Sequence, residues 1–91
     1  MKKCLKILFR GEITDDLTKG IMKKARSMAL EGDIQILDKD LIKIIAYGSK
    51  ENIDKLVDML YNFGSFNESF SVEIEPYLKD KDYRGIFRIV V

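Results

Sequence analysis

The sequence predicts an α+β fold in which two helices cover one face of a mainly antiparallel sheet. Three observations carry this. Apolar residues alternate one by one at Cys4–Arg10 and again at 70–75 and 83–91, the mark of half-buried strands. The spacing lengthens to helical steps at 17–29 and at 53–63. Between those helical stretches lie two β-rich runs joined by Asp38-Lys39-Asp40, which reads as a hairpin. The 91 residues make one domain, 1–91, with no room for a second core, no internal repeat and no linker.

The first strand sets Leu5, Ile7 and Phe9 against Lys6, Leu8 and Arg10. A loop from Gly11 to Asp16 follows, with Asp15 or Asp16 expected to cap the first helix. Leu17, Ile21, Met22, Ala25, Met28 and Ala29 then share a helical face, and Gly32 is the expected stop. Gly20 inside this helix costs about 1 kcal/mol relative to alanine. The hairpin strands are Asp33–Leu37 and Leu41–Tyr47. Ser49 with Asn52 forms an imperfect capping box before the stripe Ile53, Leu56, Val57, Leu60 and Phe63, which Gly64 ends. Phe70, Val72 and Ile74 alternate with Ser71, Glu73 and Glu75 in a fourth strand closed by Pro76. After a polar connection from Tyr77 to Asp82, a last strand is expected over Tyr83–Val91. The order is that of a ferredoxin-like βαββαβ two-layer sandwich with an additional C-terminal strand.

Composition removes whole classes of function. With no histidine, Ser-His-Asp and Cys-His nucleophilic catalysis and His-ligated zinc are excluded. The single cysteine, Cys4, forms no internal disulfide and builds no metal site alone, which fits a reduced, cytoplasmic setting. Sixteen basic against fifteen acidic residues leave a net charge of +1, so bulk charge does not call for nucleic acid or an anionic surface. No stretch approaches the roughly 20 apolar residues of a membrane span. No cofactor is implied.

Ala25 followed seven residues later by Gly32, the turn Ala46-Tyr47-Gly48, Gly64 at the end of the second helix, and the closing Tyr83, Gly85, Phe87 and Ile89 resemble the acylphosphatase family over nearly the whole chain. The resemblance implies a phosphate loop after the first strand, of the form Gly-x-Val-Gln-Gly-Val-x-Phe-Arg, and an asparagine in the second strand that orients water. Here Leu17 takes the place of the family's phenylalanine, Thr18 that of its arginine and Ile36 that of its asparagine. The loop Gly11, Glu12, Ile13, Thr14, Asp15, Asp16 lacks the second glycine and carries negative charge where an anion would sit. The fold carries over and the catalytic residues do not. Arg10 and Lys19 are the candidate substitute cations.

Asp15, Asp16 and Glu12 read as helix-start residues in preference to a metal cluster, so no metal is expected. Alternation also assembles a basic, partly apolar stripe on the sheet face away from the helices: Lys6, Arg10, Lys43, Tyr47, Arg84 and Arg88, with Leu8, Ile45 and Ile86 among them. Related sheets bind RNA there through aromatics, but only Tyr47 is present, and Glu73 and Glu75 are placed to neutralise Lys6 and Arg10. The leading expectation is an acylphosphatase-like module, catalytically degenerate, that binds or scaffolds. The alternatives are an active or weak acylphosphatase acting on carboxyl-phosphate anhydrides, and a protein or nucleic-acid binder using the open face. A monomer, or weak self-association through that face, is expected.

Overall fold

The computed structural model describes residues 1–64, 70–79 and 82–90. Its elements are β1 (Lys2–Arg10), α1 (Asp15–Ser27), β2 (Glu31–Asp38), β3 (Leu41–Ser49), α2 (Lys50–Gly64), β4 (Ser71–Pro76) and β5 (Phe87–Val90). The strands form one sheet in the order β4-β1-β3-β2-β5. Every pairing is antiparallel except β2 with β5, which is parallel. This is the ferredoxin-like α+β sandwich with an extra C-terminal strand.

Both helices lie on the face lined by Leu5, Ile7 and Phe9 of β1, Ile34 of β2 and Ile42, Ile44 and Ala46 of β3, all buried. Ile21 and Ala25 of α1 and Ile53, Leu56 and Leu60 of α2 close the core from the other side. Each fully buried Ile, Leu or Phe contributes about 1.5–3 kcal/mol, so this layer holds the sheet and helices together. Gly20 has a packing reason: the Phe63 ring of α2 lies against it, 3.3 Å from where a Cβ would stand.

Several local readings need correction. Thr14, and neither Asp15 nor Asp16, caps α1: its backbone is extended and its Oγ1 accepts the Leu17 N–H at 3.1 Å. The two aspartates fall in the first turn instead, where their charge complements the helix dipole. The helix ends before Gly32. Its C-terminal turn closes through Ala29 in the left-handed region (φ 54), and the Leu30 N–H returns to Ala25 O at 2.9 Å. Gly32 belongs to β2, at φ 144, where a Cβ would overlap the Ile45 carbonyl oxygen. Asn52 does not complete a capping box. Ser49 Oγ accepts its N–H, while its side chain donates to Met28 O and ties α2 to the end of α1.

The last strand is shorter than expected. Residues 83–86 form a turn in which Arg84 and Gly85 both have positive φ (55 and 70) and Ile86 N–H donates to Tyr83 O. Within Phe87–Val90 the predicted alternation holds, with Phe87 buried and Arg88 exposed. Val91 and Asp80, placed in the last strand and in a turn by sequence, lie outside the described residues.

β4 and β5 lie at opposite edges of the sheet, and the described stretches between them, 77–79 and 82–86, contact the face opposite the helices. Tyr77 N–H donates to Cys4 O at its start. Lys79 Nζ then sits 4.1 Å from the centroid of the Tyr47 ring and 3.8 Å from Glu31 Oε2. At its far end Gly85 N–H donates to Glu31 Oε1 at 2.7 Å. Cys4, Tyr47 and Glu31 form one row across β1, β3 and β2, and Lys6, Ile45 and Asp33 form the next. Ile45, expected in the open, is 2 % exposed, and Asp33 is 1 % exposed. Lys79 and Gly85 thus close over the first row, and in the second row Ile45 and Asp33 are buried.

Candidate functional site

The loop after β1 is held by its own backbone. Gly11 N–H donates to Asp40 O at 2.9 Å, which ties the loop to the β2–β3 hairpin. At the helix start Thr14 uses both its groups, Oγ1 taking Leu17 N–H and its carbonyl taking Thr18 N–H at 3.1 Å. Thr18 is 5 % exposed, and its hydroxyl lies within bonding distance of the carbonyls of Asp15 (3.2 Å) and Thr14 (3.4 Å). That side chain is turned into its own helix. Ile36, on β2, is 52 % exposed and presents only hydrocarbon. Glu12, Asp15 and Asp16 are exposed around the loop, and Ile13 packs partly against the core.

Of the candidate substitute cations, Arg10 pairs loosely with Asp40 at 3.8 Å, both side chains about half exposed. Such a pair contributes little. Lys19 is exposed on α1. Among the described residues, no group of three or more Cys, Asp or Glu side chains is placed to hold a metal.

The basic stripe is divided by its own contacts. Lys6 is bridged to Glu75, and that hydrogen bond, reinforced by the opposite charge, raises the lysine pKa above its ordinary value. Arg10 faces Ser71 across the β1–β4 ladder and not a glutamate, which is why it turns to Asp40; Glu73 stands opposite Leu8. The Tyr47 ring, the aromatic the sequence offered for base stacking, is taken by Lys79. Arg84 and Arg88 stand apart at the β5 edge, lining a shallow cavity of about 340 Å³ with Gly32, Asp82, Tyr83 and Ile86. Lys43 lies half-buried in the third row, opposite Leu8 and Gln35. The site residues predicted from sequence thus fall into two separate places: the loop end of α1, and a face that the chain itself partly covers.

Sequence reasoning missed the clamp of Lys79 on Tyr47 and Glu31. A lysine in a polar connection carries no local signal of where it lands, since its partners lie 32 and 48 positions away in the chain.

With this geometry in view, the chain is similar in fold to several solved structures. It matches an acylphosphatase from Coxiella burnetii at TM-score 0.78 and 20 % identity, covering 98 % of this chain and 93 % of that one. It matches an acylphosphatase from Bacillus subtilis at TM-score 0.73 and 20 % identity, over the full length of both. HypF from T. kodakarensis matches at TM-score 0.77 and 17 % identity over 100 % of this chain and 12 % of that larger protein. No family model and no curated protein sequence matches. The fold is acylphosphatase-like, and it occurs both as a free-standing protein and as part of larger ones.

Proposed function

We propose that this chain is an acylphosphatase-like domain that does not hydrolyse acyl phosphates and works through its surfaces as a binding or structural module. The observation that carries this reading is the helix start at Thr14–Thr18. Thr18, at the position where the family resemblance implies a phosphate-binding arginine, is buried with its hydroxyl directed at its own helix carbonyls. The N–H groups of Gly11, Leu17 and Thr18 are bonded within the chain, and the acidic side chains nearby repel an anion. Ile36 offers no group that could orient water, and Arg10 leans on Asp40.

Removing one preorganised electrostatic group from such a reaction costs roughly 10²–10³ in rate, and two that act together leave little. Purified protein should therefore hydrolyse benzoyl phosphate at the buffer rate. Turnover above that rate which disappears in Arg10→Ala or Lys19→Ala would overturn the reading and make the chain a working hydrolase with a substitute cation.

A further inference from the structure

The geometry points to the outer edge of β4 as a docking site for an extended protein segment whose side chains alternate basic and apolar. This deepens the binding-module reading by naming the partner's chemistry. β4 is the last strand on its side of the sheet, so its outer edge has no neighbouring strand among the described residues. The Tyr77 N–H bond to Cys4 O fixes the phase of the β1–β4 ladder. Antiparallel pairs alternate between bonded and non-bonded, so Glu75, Glu73 and Ser71 turn their backbone groups toward β1. Val72 and Ile74 consequently direct both N–H and C=O outward, and Pro76 falls where no inward N–H is needed.

The two faces of this edge differ sharply. On the side away from the helices stand Glu73 and Glu75, both exposed; Glu75 holds Lys6, and Glu73 stands opposite Leu8. On the helix side Ile74 is 39 % exposed beside partly buried Val72. Tyr61, itself 46 % exposed, continues this apolar strip from α2, its ring edge-on to Phe70 at 6.5 Å.

A second copy of the chain fits this edge less well than a basic strand. In an antiparallel ladder, residues on the same face lie opposite one another. Pairing two β4 edges with Ile74 opposite Val72 or opposite itself sets Glu73 against Glu73 or Glu75, and like charges directly opposite destabilise; with Val72 opposite Val72, Glu73 meets only Ser71 and gains no opposite charge. A strand carrying Lys or Arg opposite Glu73 and Glu75, with apolar residues opposite Val72 and Ile74, satisfies both faces. That is the pattern with which β1 already pairs the inner edge, where Lys6 faces Glu75 and Ile7 faces Ile74. The edge thus favours a basic partner over its own copy, a strand added by main-chain bonds and selected by alternate side chains.

The test titrates the folded chain with Ac-Lys-Val-Lys-Ile-Lys-Val-NH₂ and with its counterpart bearing glutamate for lysine, reading amide shifts and exchange. The basic peptide should shift and protect the Val72 and Ile74 amides, and the acidic peptide should not. Glu73→Lys should weaken the basic peptide at least tenfold. Ile74→Pro, which removes one outward donor and leaves the inner ladder intact, should do the same, with the fold of each variant checked by its remaining amide shifts. Equal response to both peptides, shifts centred on Lys43 or Arg88, or no response at millimolar peptide would overturn the assignment. The benzoyl phosphate assay reads the underlying reading separately, so a chain that hydrolyses and still docks the basic peptide refutes only the former.

Discussion

Ile45 is the sharpest probe of how the sheet's second face is built. Ile45→Ala removes three carbons from a side chain that is 2 % exposed. At about 0.8 kcal/mol per buried carbon the transfer loss alone is roughly 2.4 kcal/mol. Incomplete collapse around the hole raises the usual total for such a change into the range of about 2–5 kcal/mol. Ile45 lies on the sheet face without helices, where the neighbouring groups settle into a void more readily than a helix does. Its cost should therefore fall near 2–3 kcal/mol. Ile44→Ala, fully enclosed between sheet and helices at 0 % exposure, should cost about 3–4 kcal/mol. Urea unfolding of the two variants against the parent protein measures both, with an unchanged slope confirming that only stability moved. A cost below about 1 kcal/mol at Ile45 would mean that the side chain is not enclosed in solution and would refute the reasoning.

Further outcomes follow from the same contacts. Thr14→Ala should lose about 1 kcal/mol as a helix cap, whereas Asp15→Ala and Asp16→Ala should each lose no more than a few tenths to 1 kcal/mol through the helix dipole; chemical denaturation ranks the three. Gly32→Ala should prevent stable folding at ordinary temperature, because a side chain there combines positive φ with overlap of the Ile45 backbone; circular dichroism on the purified variant reports it. Asp54 accepts hydrogen bonds from Lys50 and Lys3, which hold its pKa below the ordinary aspartate value. A carboxyl depressed on folding stabilises above its unfolded pKa and loses that contribution as pH falls through the folded one. Asp54→Asn should thus lower stability at neutral pH, flatten part of the acid limb, and converge on the parent curve at the acid end, as urea unfolding across pH would show.

The elements were legible because each strand and helix carries its own period, and a half-buried strand or an amphipathic helix announces which side is inward. The failures share one cause: the deciding contact was distant or the local signals tied. Thr14, Asp15 and Asp16 are all acceptable caps by type, and the choice rests on where the extended backbone turns helical. The order Thr-Asp-Asp, a hydroxyl followed by two acids, is itself the signal that favours Thr14, since acids suit the first turn. Tyr83, Gly85 and Phe87 continue an alternating pattern straight through a turn, and only the left-handed Arg84-Gly85 pair breaks it. Ile45 was assigned to the correct side of the sheet by parity. Its burial there was not readable, because chain must cross that face between β4 and β5 at opposite edges, and parity says nothing of such crossings. At the loop end of α1 the residue identities were readable, while the turning of the Thr18 hydroxyl into its own helix was not.

The crossing connection also has a mechanical meaning. β5 is held by a short parallel ladder with β2, by Arg26 Nε donating to Phe87 O, and by the bond from Gly85 N–H to Glu31. Peeling β5 away therefore also loosens Gly85 from Glu31, and Phe87 at the rim is exposed together with its neighbours on β2. The edge strand and the turn before it are thus expected to open together. In native-state hydrogen exchange the amides of β5 and those of Gly85 and Ile86 should share a single opening free energy, lower than that of the β1–β3 ladder under the helices.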